Sequence, residues 1–248
     1  MKTLIKTQDV AVIGISAALY AVVGILTAPI SFFGVGFLPA VVIPAVFAVL
    51  FGPWVGGLSG ALGIFLRDMV VHGNPGLSLS AGVPPNFILF FLIGYIACRN
   101  ISLKQALVGV VVAAIGLLAP TLLFLPQFVE FTRLSAEMFM LTFVLTIILS
   151  IAIIAIAAIK WGQWRSYAIA ALIGQIAGAA LLSITVWLVS PLFIDYFKTP
   201  LAAAFIFPLF VWTLLTEVPF ILLVGPPIIK ACYRAFPSLK KRNKTSEP

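Results

Sequence analysis

Eight apolar runs divide this chain, and they constrain its fold more than any other feature. They fall at roughly residues 10–28, 37–51, 54–71, 85–98, 105–126, 138–159, 167–190 and 201–232. A helix crossing a bilayer core needs about 20 apolar residues, with a range near 17–25. The chain is 62% hydrophobic and 9% charged, whereas a soluble domain is about 25% charged. The sequence therefore predicts an all-α, polytopic transmembrane helical bundle of six to eight spans. It reads as a single membrane-embedded domain over 1–248, with a basic tail at 233–248. Runs 37–51 and 85–98 are short for full spans, and dropping both leaves the parity unchanged.

The charges set an orientation. Of the 15 Lys and Arg residues, 12 fall on one side of an eight-span layout: Lys2, Lys6, Arg99, Lys104, Lys160, Arg165, Lys230, Arg234, Lys240, Lys241, Arg242 and Lys244. Arg67, Arg133 and Lys198 fall on the other, with Asp68, Glu130, Glu137 and Asp195. Basic residues collect in cytoplasmic loops, so both termini are expected in the cytoplasm. Net charge is +8, but it is split between short loops and the tail. That is a topological pattern, not a nucleic-acid stripe. The tail lysines suit anionic lipid head groups. Cys98 and Cys232 fall at cytoplasmic helix ends, where reduced thiols are expected.

Gly and Pro punctuate the runs. The stretch HGNPGLSLSAGVPPN, residues 72–86, reads as an outer loop too rich in breakers to be helical. Pro208, Pro219, Pro226 and Pro227 predict that the last run is kinked or broken. Small residues recur at four-residue spacing in three runs: Gly14-x3-Ala18, Ala17-x3-Ala21 and Gly24-x3-Ala28 in the first, Gly52-x3-Gly56-x3-Gly60 in the third, and Ala170-x3-Gly174-x3-Gly178 in the seventh. Such stripes let membrane helices approach closely. The plain reading is packing within the bundle; the alternative is a docking face for a partner, with the first helix the best candidate. Arg67 continues the glycine stripe of the third run and should face protein, not lipid.

Ionisable residues inside a span are costly and point to function. Arg67 and Asp68 lie near the outer end of the third run, and Asp68 shares a helical face with His72. Glu217 lies near the middle of the last run, two residues before Pro219. Asn86, Tyr95, Gln175 and Trp212 are weaker polar entries, and Asn86 could equally cap the helix after Pro84-Pro85. Plainer readings exist: an interfacial pair for Arg67 and Asp68, a solvated His72, a buried acid bonded to freed backbone for Glu217. No catalytic constellation, P-loop or metal-ligand spacing is present. Neither a catalytic residue nor a cofactor is expected, and no ATPase of its own.

Residues 39–70, PAVVIPAVFAVLFGPWVGGLSGALGIFLRDMV, resemble the substrate-binding S components of energy-coupling factor (ECF) transporters. The features are a short second helix, the Gly52-Pro53 turn and a glycine-spaced third helix ending in an acid. The Ala17-x3-Ala21 pair is similar to the motif by which S components dock on a shared transmembrane T component. The last run, with Trp212, Pro219 and Gly225-Pro226-Pro227, is similar to the family's final helix. The resemblance implies a non-enzymatic subunit that binds a vitamin or similar micronutrient from outside. Delivery then requires a T component and two ABC-type ATPases. It places a gate over residues 29–38 and the site floor at 67–86. Arg67, Asp68, His72, Asn74, Asn86, Trp212 and Glu217 become candidate substrate contacts, and Ala17 and Ala21 the docking contacts. Members usually have fewer spans and shorter chains than this one. The competing reading is a stand-alone proton-coupled secondary transporter using Glu217, Asp68 and His72. No inverted repeat is visible to support it.

Overall fold

The computed structural model describes residues 6–32, 35–123, 125–126, 129, 135–160, 162–193 and 206–239. Lys2, Glu130, Arg133, Asp195, Lys198 and the tail residues Lys240, Lys241, Arg242 and Lys244 lie outside the described residues.

The apolar runs become eight helices in the described residues: α1 (Thr7–Thr27), α2 (Val42–Phe51), α3 (Pro53–Val71), α4 (Pro75–Ala97), α5 (Leu103–Leu123), α6 (Leu145–Lys160), α7 (Arg165–Phe193) and α8 (Ile206–Ala235). Six helical stretches are long and apolar enough to cross a membrane; Pro39–Phe51 and Leu145–Lys160 are shorter. A small antiparallel ladder, β1 (Ser31–Phe32) with β2 (Val35–Gly36), follows α1. It pairs Ser31 with Gly36 and Phe32 with Val35. The fold is an all-α transmembrane bundle with this short hairpin on it.

Two expectations fail for physical reasons. Residues 75–82 are helical, not an open loop, so α4 gains two turns at its start. Asn74 caps this segment by accepting the Leu77 amide at 3.0 Å. A π turn over Ser78–Gly82 then shifts the register, with the Val83 amide donating to the Ser78 carbonyl. Such a bulge absorbs the bonds that Pro84 and Pro85 cannot make. Asn86 sits inside this helix and does not cap it; its side-chain amide donates to the Gly82 carbonyl at 3.0 Å. Likewise α8 runs unbroken for 30 residues through Pro219, Pro226 and Pro227. Prolines are tolerated where neighbouring helices and side chains take up the freed backbone groups. Tyr167 of α7 packs against the same stretch, donating its hydroxyl to the Ile221 carbonyl at 2.8 Å.

Glycine sets the packing. Gly52 joins α2 to α3 alone, with φ at 104°, a region costly to side-chained residues. A Cβ at Gly56 would lie 2.8 Å from Ala48 Cα and 3.1 Å from the Phe90 carbonyl, and one at Gly60 would strike the Phe90 ring. On α7, Cβ atoms at Gly174 and Gly178 would lie 2.8 Å from the Leu89 carbonyl and Leu89 Cβ, respectively. So α4 is clamped between the glycine faces of α3 and α7. These two stripes are internal packing. Beyond them α1 lies against α3, and α8 against α7 and α2, while α5 and α6 pair at the side.

Candidate functional site

The clamped helix α4 carries the polar centre of the molecule. The outer cluster begins on α3. Arg67 and Asp68 are both buried, and Arg67 Nη1 lies 3.0 Å from Asp68 Oδ1. Arg67 Nε donates to the Gly24 carbonyl of α1 at 3.4 Å. The Ser78 hydroxyl donates to Asp68 Oδ2 at 2.7 Å. His72 Nε2 reaches Asp68 Oδ1 at 3.7 Å, one turn along the helix as the spacing implied. His72 Nδ1 accepts the Asn74 amide at 3.2 Å, so in the neutral ring Nε2 carries the proton and faces the acid. Arg67 therefore faces protein, as its place on the glycine stripe implied.

Residues 36–38 pass beside this cluster. A Cβ at Gly36 would collide with the Arg67 guanidinium, and Leu38 packs at Gly24. Phe37 reaches across to α8, its ring 5.4 Å from that of Phe220. Gly36 thus lies against Arg67, and Phe37 against the last helix.

The second polar group lies deeper, where α4, α7 and α8 meet. A narrow cleft of about 20 Å³, about the room of one water, is lined by Asn86, Gln175, Thr213 and Glu217, with Pro85, Leu89 and residues of α7 between them. Gln175 is fully buried and Glu217 is 5% exposed. The Gln175 side-chain amide donates to Glu217 Oε2. With the amide in this orientation, Gln175 Oε1 is buried with no hydrogen-bond partner among the described residues. The Thr213 hydroxyl is turned onto the Leu209 carbonyl at 2.9 Å.

Tyr20 and Gly82 join the two groups. The buried Tyr20 hydroxyl donates to Asn86 Oδ1 at 2.7 Å, while its ring meets Phe90 edge-on at 5.8 Å. The Gly82 carbonyl holds Asn86, and a Cβ on Gly82 would stand 2.8 Å from Asp68 Oδ2. Electrostatically, Arg67, Asp68 and Glu217 all act on Tyr20. The result is one buried polar path from the hairpin to the cleft.

Of the residues expected to bind substrate, Arg67, Asp68, Asn86 and Glu217 lie on this path, with His72 at its outer edge. Asn74 is a helix cap at the surface end. Trp212 is half-buried and is not among the residues lining the cleft. Tyr20, Ser78 and Thr213 were not singled out from sequence. Tyr20 had a readable signal, since it shares the inward face of α1 with Ala17, Ala21 and Gly24. Gln175 is the partner that Glu217 lacked in the sequence.

Of the pair expected to dock a partner, Ala17 is fully buried and Ala21 nearly so; a Cβ at Gly63 of α3 would stand 2.9 Å from the Ala17 carbonyl. The small residues that α1 presents outward are Ala11, Gly14 and Ala18. Nothing lies within 4 Å of a Cβ placed on Gly14. Among the described residues no three His, Cys, Asp or Glu side chains converge on a metal site.

Comparison with known proteins adds three findings. A family model described as "ECF transporter, substrate-specific component" matches residues 8–131, half of the 248-residue chain. That span holds α1 to α5, the hairpin and the Arg67–Asp68 cluster, while Gln175 and Glu217 lie beyond it. A curated relative from Streptococcus gordonii (strain Challis), titled "UPF0397 protein", is 36% identical over 73 residues, covering 29% of this chain and 39% of that protein. The match thus spans about two-fifths of the relative's length. No solved structure matches the chain.

Proposed function

We infer the function from kinship: the chain belongs to the ECF transporter substrate-specific component family. That family consists of transporter components, not enzymes, and this chain is an integral membrane protein. We propose that it captures a small water-soluble vitamin or related micronutrient from outside the cell. Delivery would follow by docking on a transmembrane T component driven by two ABC-type ATPases. Both termini face the cytoplasm in this reading, as the basic loops require.

One arrangement carries the proposal: α1 serves two surfaces at once. Its Ala17–Tyr20–Gly24 face closes on α3 and the polar path. Its Ala11–Gly14–Ala18 stripe is exposed, and such small residues let a partner helix approach closely. The docking contact is accordingly assigned to Gly14 and Ala18, not to Ala17 and Ala21. The substrate region is the polar path itself, with the hairpin as its cover and Glu217, Gln175 and Asn86 at its inner end.

The test is co-purification from the native membrane in mild detergent. Wild type should bring down a membrane partner and two ATPases. Ala18→Trp should lose them while eluting as a folded monodisperse protein. A wild-type protein that never associates with an ATPase would sink the proposal and favour the stand-alone transporter. An Ala18→Trp variant that assembles normally would remove α1 as the docking face.

A further inference from the structure

A larger cavity lies away from the polar path, at the basic ends of three helices. There α6 stops at Lys160, α7 starts at Arg165, and α8 passes Lys230 before it ends at Ala235. In the topology proposed above this end is cytoplasmic. The cavity holds about 360 Å³, inside the roughly 300–1,000 Å³ of pockets that take small molecules.

Most of its wall is apolar. Ile153 and Ala157 of α6 and Leu222, Leu223 and Pro227 of α8 supply it. Tyr167 holds α8 against α7 beside this wall: its hydroxyl donates to the Ile221 carbonyl at 2.8 Å, and a Cβ on Gly225 would collide with that hydroxyl. The phenol is therefore spent inside the protein. The cavity reaches the outer surface of the bundle, because Leu223 is 56% exposed and Pro227 and Lys230 are exposed as well. On a membrane protein such a surface borders lipid tails, so the cavity is a lateral groove.

The polar groups of the lining come from the helix ends. Lys230 is its one charged residue, and no acid lies on it. Among the described residues no carboxylate pairs with Lys230. Arg165 is engaged elsewhere, its Nε donating to the Ala158 carbonyl at 2.8 Å. Gln163 and Trp164 enter the lining from the turn before α7. Trp164 is half-buried, with its ring 6.1 Å from that of Tyr167. An amphipathic indole and an ammonium on a long apolar stem are the side chains that suit the head-group layer.

We propose that this groove holds one anionic phospholipid, with an acyl chain along the α6–α8 wall and the phosphate at Lys230. A soluble anion would leave the apolar wall unused, and an uncharged chain would leave Lys230 unpaired. Basic pockets between helices on the cytoplasmic side suit anionic head groups in this way. The site is separate from the substrate region and requires only that the chain lies in a membrane.

The test is native mass spectrometry of the full chain, extracted in mild detergent from nanodiscs made of equal parts dioleoyl phosphatidylglycerol and dioleoyl phosphatidylcholine. The two lipids share chains and phosphate, but choline cancels the charge. Wild type should retain one phosphatidylglycerol in preference to phosphatidylcholine by about fivefold, the worth of one lysine near an anionic surface. Lys230→Gln should bring the two lipids level. Lys104→Gln, exposed on α5 and outside the groove, should leave the preference intact. Ala157→Phe, which narrows the groove, should lower retention of both lipids. Lys230 is exposed, so its variant keeps the fold and decides the matter alone. Equal retention of the two lipids by wild type, no retained lipid, or a preference that survives Lys230→Gln would each overturn the proposal. An equal loss in Lys104→Gln would also overturn it, since the attraction would then belong to the whole basic end. So would a membrane protein from the native membrane that binds in place of lipid and is lost in Lys230→Gln, because the groove would then seat a partner helix.

Discussion

Asp68→Asn is the sharpest probe of the outer cluster. Asparagine keeps the volume and a carbonyl oxygen, so Ser78 retains an acceptor and no cavity forms. What is lost is the charge opposite Arg67. The two side chains are each 8% exposed, so water compensates little. Arg67 would keep only the Gly24 carbonyl, at 3.4 Å a long bond. Removing one partner of a buried ion pair costs about 3–5 kcal/mol, because the other charge stays buried and uncompensated. At roughly 2–4 °C per kcal/mol for a chain of this size, the melting temperature should fall by about 6–20 °C. The assay is thermal unfolding in one detergent, followed by tryptophan fluorescence. Arg67→Leu/Asp68→Leu should recover most of the loss, since a well-packed apolar replacement of a buried pair is often neutral. A single variant within about 0.5 kcal/mol of wild type, the scatter of ordinary surface changes, would refute the reasoning. So would a double variant no better than the single, because the coupling would then be absent.

Two further substitutions separate packing from polarity. Tyr20→Phe removes one hydroxyl and leaves Asn86 Oδ1 without its donor, while the edge contact with Phe90 stays. It should cost about 1–3 kcal/mol in the same unfolding assay, and unchanged stability would mean that the Tyr20–Asn86 bond contributes nothing. Gly63→Val should lose about 1–3 kcal/mol by overpacking, because its Cβ would stand 2.6 Å from Tyr20 Cδ1. Gly14→Val, with open space around it, should stay within about 0.5 kcal/mol. Equal losses at the two glycines would show that the close contact at Gly63 is not what sets the cost.

The helices were legible because hydrocarbon imposes one requirement on every residue of a span, and apolar length reports it directly. The inward turn of Arg67 was legible for a related reason: glycines one turn apart mark the face where another backbone arrives. Breaker residues misled for the opposite reason. In residues 75–86 the missing proline amides are absorbed by a π turn, which has no local signature. In α8 three prolines leave the helix unbroken, and proline composition alone does not tell a broken span from a continuous one. The inward turn of Ala17 and Ala21 was not legible because two small-residue spacings overlap on α1. Spacing alone cannot say which of them meets Gly63. The Gln175–Glu217 pair joins residues 42 apart, and no periodicity links positions on different helices.

Glycine and polarity are one design in this molecule. Outside water, a buried amide or carboxyl needs its partner supplied by protein. Gly56, Gly60, Gly174 and Gly178 bring three backbones together at α4, which leaves no room for lipid between them. Only such close approach lets Asn86 sit within reach of Tyr20 on α1 while lining a cleft shared with Glu217 on α8. Widening any of these interfaces by a side chain would separate the polar groups before it unfolded a helix. Substitutions at Gly60 or Gly178 should therefore disturb the cleft as much as the packing, although neither residue has a functional group to offer a ligand.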